Sequence, residues 1–266
     1  MKIGFLITAR LKSTRLPLKI IKELNGKSVI EHIIERAKQI QNIDKIVLCT
    51  SPDPQDKPLI ETSNNNKIQY FLGDKDDVLK RLNDAATLHN LDYFLGITAD
   101  NPLFSIHHSN IISNKMRTNR YDFIKIADLP LGAATYGMNV KALKTICKVK
   151  NIVDTEIWGA LIDRPELFDV LTIESEPEYK RPNYRLTLDY PEDYELLNHL
   201  YSNISYSKTL PLIKVINYLD KNPNIAKINK DCIQLSLDKK IKDKIERNFK
   251  NNEKKILKIK KEFYEK

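Results

Sequence analysis

LITARLKSTRLPLKII, residues 6–21, is the stretch on which the fold reading turns. It closes an apolar run, Ile3 to Ile7, of the length expected for a buried strand. It then breaks into a polar loop carrying Arg10, Lys12, Arg15 and Lys19, with hydroxyls at Ser13 and Thr14 and Pro17 keeping the backbone extended. A solvated basic surface is one explanation. The other is a cradle for a polyphosphate, because guanidinium groups grip phosphate oxygens bidentately and lysine adds a point charge. The glycines and the G-K-[ST] ending of a Walker loop are missing.

Outward from this stretch the chain alternates strand and helix. Residues 2–8 read as a strand, 28–41 as a helix, 45–50 as a strand and 56–64 as a short helix. A strand at 68–72, a helix at about 76–89 and a very apolar, hence central, strand at 93–98 continue the rhythm. Such alternation predicts an α/β fold with a doubly wound parallel sheet. Ligands in such sheets sit beyond the carboxyl ends of the strands, which is where the cationic loop falls. After residue 117 the pattern changes to short strands near 121–126, 134–140, 168–173 and 184–188, a small mixed extension, with helices near 141–148, 191–201 and 209–221.

The 266 residues, 41% of them hydrophobic, suffice for one large domain, and no apolar run is long enough to cross a bilayer. The apolar part of the N-terminus is too short for a signal peptide, and Cys49, Cys147 and Cys232 lie far apart without metal-ligand spacing; both features lead us to expect a cytoplasmic protein. The net charge of +9 suggests nucleic acid, but residues 231–266 hold 12 Lys and Arg against 7 Asp and Glu, so the excess is mostly a property of the tail. We therefore divide the chain into a domain of residues 1–230 and a basic helical tail, 231–266. From about residue 238 the tail places Ile245, Phe249, Ile256, Ile259 and Phe263 at a/d spacing, interrupted by Asn252. That seam would pack on its own domain or on a second copy, giving a homodimer. A nucleic-acid or membrane-surface binder acting through this tail is the reading from a different class.

Two further segments bear on the cationic loop. GITADNPLF (96–104) ends the presumed central strand in Asp100, where a carboxylate facing the loop can hold Mg²⁺ against phosphate. An Asx turn before a helix near Ser105 would explain it equally. YRLTLDYPEDYELL (184–197) ends in Asp189, which is either a second metal-facing acid or a cap for the helix that starts near Pro191. His107 and His108 fall at an exposed helix start and are left out of the site.

ARLKSTRLPLK resembles the N-terminal signature of sugar-activating cytidylyltransferases, the CMP-KDO and CMP-acylneuraminate synthetase group. GDKDDVLKRL (73–82), ITADNPL and RLTLDYPED, in order, are similar to the spore-coat polysaccharide F-type branch. The resemblance covers roughly residues 1–200 and implies a Rossmann-like, GT-A-like nucleotidyltransferase. Its reaction would be CTP-dependent transfer of CMP to an acidic sugar, nonulosonate or KDO-like, for surface polysaccharide or glycoconjugate synthesis. The alternative acceptor is phosphorylated, a sugar 1-phosphate or a phosphonate. By the same resemblance Arg10, Arg15 and Lys19 hold the triphosphate beside Ala9 and Ser13. Asp100 and Asp189 hold Mg²⁺, Gly73, Asp77 and Thr98 line the nucleotide, and Gly132, Glu156 and Arg185 line the acceptor. Capping of a helix explains Asp76, Asp77 and Arg81 as well as direct contact does. Three positions depart from the signature: Lys12, Leu18 and Ala99 stand where glycine is usual, which shifts the expected burden from backbone to side-chain cations. Gly96 stands where the branch tends to have Arg. LPLGAATYGMNV (129–140) lacks the acids that follow the glycine in close relatives, while DTEIWG (154–159) offers Asp154, Glu156 and Trp158.

Overall fold

A computed structural model describes residues 1–265. Strand β1 (Ile3–Thr8) leads through the cationic loop and a tiny hairpin, β2 (Glu23–Leu24) and β3 (Lys27–Ser28), into helix α1 (Val29–Ala37). Ser28 and Glu31 close the start of α1 reciprocally: Ser28 Oγ accepts from Glu31 N, and Glu31 Oε2 accepts from Ser28 N at 2.8 Å. There follow β4 (Lys45–Thr50), α2 (Lys57–Asn65), β5 (Gln69–Leu72), α3 (Val78–Leu88) and β6 (Tyr93–Thr98). Then come α4 (Ile106–Thr118), β7 (Phe123–Ala127), β8 (Tyr136–Asn139), α5 (Val140–Val149), α6 (Gly159–Ile162) and β9 (Val170–Glu174). The chain finishes with α7 (Pro191–Asn203), α8 (Leu212–Lys221), α9 (Pro223–Ala226) and α10 (Lys239–Tyr264).

Seven strands form one sheet in the order β5-β4-β1-β6-β8-β7-β9. The first four are mutually parallel, β8 runs antiparallel to both neighbours, and β9 is parallel to β7. The mixed part is thus a continuation of the same sheet. Side chains of β1 alternate across it. Ile3, Phe5 and Ile7 join α1, α4, α7 and α8 in one core, while Leu6 joins Val47, α3 and α5 in the other. Both faces being covered, β1 has no polar side and reads as a continuous apolar run.

One expected strand is absent. Residues 184–188 are extended, with Leu186 and Leu188 buried, but their partners are loops: Leu186 N donates to Leu131 O and Leu188 N to Asp100 O, each at 2.8 Å. A turn with Gly132 at φ +89° cannot supply a continuous ladder, so a single bridge, Leu131 with Arg185, is all that forms. The alternation is real nevertheless. It turns Leu186 and Leu188 into the core and leaves Arg185 and Asp189 for the crevice.

The tail helix folds back on its own chain. Ile245, Phe249 and Ile256 of α10 are buried against α5 and α6, among Leu143, Ile146, Leu161 and Phe168. Arg164 stacks on Phe249 at 4.2 Å and pairs with Glu246 at 2.7 Å, and Lys260 reaches Asp122 at 2.6 Å. Of the two expected locations for the seam, its own domain and a second copy, Ile245, Phe249 and Ile256 take the first. Asn252, the interruption in the heptad, bonds back to Asn248 O within α10. No helix among the described residues is long and apolar enough to cross a membrane.

Candidate active site

Residues 9–21 fold over the carboxyl ends of the parallel strands because three of them are anchors. Leu11, Leu16 and Ile20 are buried, which leaves the intervening cations Arg10, Lys12, Arg15 and Lys19 on the open side. Ala9 continues the strand pairing, donating to Cys49 O, and Ser13 Oγ accepts from Leu16 N. Leu18 takes a left-handed conformation, φ 55° and ψ 23°, at the entry to a 3-10 turn over Lys19–Ile21. That reversal turns Lys19 back into the crevice. It occurs at one of the positions where the resembled signature has glycine, the residue that adopts this conformation without steric cost.

Lys19 Nζ lies between two carboxylates, 2.7 Å from Asp100 Oδ2 and 2.8 Å from Asp189 Oδ1. Burial opposes the charge on Lys19, but Asp100 and Asp189 outweigh it and raise its pKa. Asp189 also takes Arg15 at 2.9 Å on Oδ1 and Arg185 at 3.1 Å on Oδ2. Burial would raise its pKa, yet Lys19, Arg15 and Arg185 together hold it below the usual carboxylate range. Arg15 further packs over the Tyr190 ring at 4.9 Å. Asp100 Oδ1 accepts from Thr98 Oγ1 at 2.6 Å and Asn101 Nδ2 at 3.1 Å. Neither acid acts as a helix cap. That task falls to Asp193, whose Oδ2 accepts from Asp189 N and Tyr190 N while both its oxygens hold Arg185.

The donors fit a divalent cation. Asp100 and Asp189 converge on one ammonium, and the neighbouring Asn101 turns its amide nitrogen to Asp100 and its buried, unpartnered Oδ1 to Gly132. Mg²⁺ is commonly held by one or two carboxylates together with substrate phosphates, which matches this sparse oxygen set.

Other residues marked in the sequence lie elsewhere. Arg10 belongs to a neighbouring acidic group: it pairs with Asp53 at 2.7 Å and Asp56 at 3.4 Å, and donates to Lys75 O. It thereby ties the loop after β1 to the 73–77 segment. Asp77 is buried; it caps α3 through Lys80 N and is held by Lys150 and Thr155 Oγ1. Arg81 reaches back to Asp74 O at 2.6 Å. Capping and loop support thus account for Asp77 and Arg81, with no Asp77–Arg81 ion pair among the described residues. Gly73 has no room for a Cβ, which would meet Arg81 Cγ at 2.8 Å. Gly132 underlies the site: a Cβ there would sit 2.7 Å from both Asn101 Oδ1 and Thr187 N. Glu156 is exposed, and among the described residues no hydrogen bond or ion pair joins it to Gly132 or Arg185.

Sequence reasoning missed Asp56, a fully buried acid that receives Leu11 N at 2.7 Å and Ser51 Oγ at 2.6 Å. It missed Tyr190 as a platform for Arg15. It also missed the strap of residues 229–234, where Gln234 Oε1 accepts from Arg185 Nη1 at 2.9 Å and Ile233 O from Tyr190 OH at 3.1 Å. The Ser51-to-Asp56 spacing is a local turn signal; nothing local marks the other two. The two histidines also differ from expectation, since His107 is exposed but His108 is buried.

Comparison with known proteins places this geometry in context. The family model described as cytidylyltransferase matches residues 5–225. The spore coat polysaccharide biosynthesis protein SpsF of Bacillus subtilis is 26% identical over 84% of this chain and 96% of its own. An 8-amino-3,8-dideoxy-manno-octulosonate cytidylyltransferase of Shewanella frigidimarina is 35% identical over 39% of this chain and 42% of its own. Among solved structures, a cytidylyltransferase from Leptospira borgpetersenii superposes with a TM-score of 0.78 at 24% identity, covering 89% of this chain and all of that one.

Proposed function

The chain belongs to the cytidylyltransferase family, and from that premise we propose that it transfers CMP from CTP to an acidic sugar, releasing pyrophosphate. The observation that carries the proposal is the meeting of Asp100 and Asp189 on Lys19, beside Arg15, at the carboxyl ends of the parallel strands. Charges in this knot nearly balance, so the triphosphate's arrival would redistribute partners rather than bury lone charges. Lys19 and Arg15 would turn from the carboxylates to phosphate oxygens, with Ser13 and the Thr98 hydroxyl nearby to accept or donate.

Asp100 and Asp189 would then hold Mg²⁺, which supplies charge neutralisation on the α-phosphate. The acceptor oxygen attacks the α-phosphorus, and the bond to the β-phosphate oxygen breaks in line. Arg15 and Lys19 meet the charge that grows on departing pyrophosphate. Arg185 is fixed by Asp193, Asp189 and Gln234, and it presents a cation on the acceptor side suited to a sugar carboxylate. The SpsF and octulosonate relatives favour sugar activation over other acceptors.

The test is a pyrophosphate-release screen of four nucleoside triphosphates with Mg²⁺ against KDO-like and nonulosonate sugars, sugar 1-phosphates and phosphonates. Release only with CTP plus an acidic sugar is the expected result. Release with phosphorylated acceptors alone would reject the acceptor assignment, and release with another triphosphate would reject CTP.

A further inference from the structure

Away from the crevice, His107, His108 and Glu176 bring three ligand atoms within 4.8 Å of one another. Glu176 turns one oxygen to each imidazole: Oε1 lies 2.9 Å from His107 Nε2 and Oε2 lies 2.8 Å from His108 Nε2. Among the described residues no hydrogen bond or ion pair connects this group to Arg15, Lys19, Asp100 or Asp189. The geometry points to a binding site for a borderline transition-metal ion, Zn²⁺ or a chemically similar cation, held by two imidazoles and one carboxylate.

Each ligand is oriented by its surroundings. Ser105 Oγ lies 2.7 Å from His108 Nδ1 and also accepts from His108 N. A carboxylate only accepts, so without an ion each Nε2–H donates to Glu176. A bound ion would take the place of those protons; His108 would then donate Nδ1–H to Ser105 Oγ and present the Nε2 lone pair, the arrangement that outer partners of metal-bound histidines enforce. His107 is stacked on Tyr179, with centroids 5.5 Å apart and planes within 8°, and His108 meets the same ring edge-on at 4.8 Å. Tyr179 thus holds both rings in register.

Access is provided too. A cleft of about 320 Å³, lined by Ser105, His107, Tyr179, Lys208 and Pro211, reaches the group from the His107 side. The donor set discriminates against Mg²⁺, which prefers oxygen, and in favour of ions that take imidazole. The N-terminal end of α4 works against a cation, and the Glu176 charge offsets it. A bound ion would clamp α4, which begins six residues after Asp100, to the segment that leads into Arg185.

The experiment uses the full chain, stripped with chelator and exchanged into metal-free buffer, then titrated with Co²⁺ as spectroscopic probe. We expect a visible ligand-field absorption that saturates at one equivalent and is displaced by Zn²⁺. Zinc at a hundredfold excess over its Kd should raise Tm by about 5–10 °C. His107→Ala, at an exposed residue, and Glu176→Gln should each abolish the absorption, whereas Asp100→Asn should retain it. Absence of the band, or its persistence in both His107→Ala and Glu176→Gln, overturns the proposal. A Glu176→Gln protein with lower Tm but no cobalt response in the parent would make the group a hydrogen-bonded clamp only, which also overturns it. None of these outcomes depends on CTP turnover.

Discussion

Lys19 Nζ stands 2.8 Å from Asp189 Oδ1, although 170 positions separate the two residues in the chain. The contact closes the crevice between the first loop and the segment that follows the irregular run at 184–188. It sets the order in which the site's residues can be tested.

Asp100→Asn should reduce turnover on the order of a thousandfold while leaving the fold intact. An amide oxygen can still accept from Thr98 Oγ1, so the local turn survives, but the second negative ligand for a cation is lost. Steady-state pyrophosphate release and circular dichroism on the same preparation decide the matter. Substantial residual Mg²⁺-dependent activity would sink the metal assignment.

Across the cationic loop, effects should be graded rather than uniform. If the loop holds triphosphate as proposed, Arg15→Ala and Lys19→Ala should each remove a charge-assisted phosphate contact worth roughly 1.5–3 kcal/mol, a ten- to hundredfold fall in kcat/KM that includes kcat. Lys12→Ala should cost little, because Lys12 is exposed and makes no ion pair among the described residues. Arg10→Ala should act mainly on the 73–77 loop it holds. Equal, minor losses at positions 12, 15 and 19 would mean that the loop does not bind triphosphate.

How far the sequence reached can be judged from particular elements. β4 and β6 were legible to the residue because their interiors, Ile46–Cys49 and Tyr93–Ile97, are unbroken apolar runs between polar ends. The run at 184–188 alternates apolar and polar residues as a strand would yet forms none, since pairing depends on a distant partner that proves to be a turn. Asp100 and Asp189 could be marked from their places at the ends of extended runs. Their meeting on Lys19 and the reach of Arg10 to Asp56 are products of tertiary juxtaposition and leave no local trace, although the Ser51–Asp56 turn itself is local. The seam of α10 was visible; which surface it covers was not.

Leu18→Gly should stabilise the protein by about 0.5–1 kcal/mol. A left-handed conformation at a residue with a Cβ costs roughly 1–2 kcal/mol, part of which glycine returns through the greater freedom of its unfolded chain. Leu18 is half exposed, so little apolar burial is lost. Urea midpoints of the two proteins measure the difference, and a destabilised variant would show that Leu18 contributes packing instead.

Stability should fall as pH drops below about 6.5, partly through His32. Burial lowers its pKa from 6.5 against the opposing pull of Leu24 O and Glu35, with Lys27 and Arg36 reinforcing the fall. The unfolded chain therefore takes up a proton at a pH where the folded one does not, so stability is present above 6.5 and is lost as pH falls toward the depressed folded value. His32→Phe gives up the 2.7 Å contact with Leu24 O and should be less stable at pH 7.5, but its stability should change less between pH 7.5 and 5.5. Parallel slopes for the two proteins would remove His32 from the account.

Beyond residue 225, where the family match ends, the chain has two parts with different expected roles. The strap at 229–234 touches the site: Gln234 holds Arg185, and Asn229 Nδ2 donates to Asp193 Oδ1 at 2.7 Å and to Arg185 O at 3.0 Å. Among the described residues helix α10 packs mainly on α5 and α6 and reaches Asp122 through Lys260, with Phe249 buried beneath Arg164. Phe249→Ala should therefore cost about 3–5 kcal/mol of stability and leave kcat/KM unchanged in the folded fraction. Gln234→Ala should do the reverse. One of several bonds to Arg185 disappears, worth about 0.5–1.5 kcal/mol, so kcat/KM for the acceptor should fall about two- to tenfold with little change in Tm. Kinetics with the acceptor varied at saturating CTP, alongside thermal unfolding, separate the two. An unchanged kcat/KM in Gln234→Ala would mean that the strap does not position Arg185, and a fall in Phe249→Ala beyond its unfolded fraction would mean that α10 acts on the site after all.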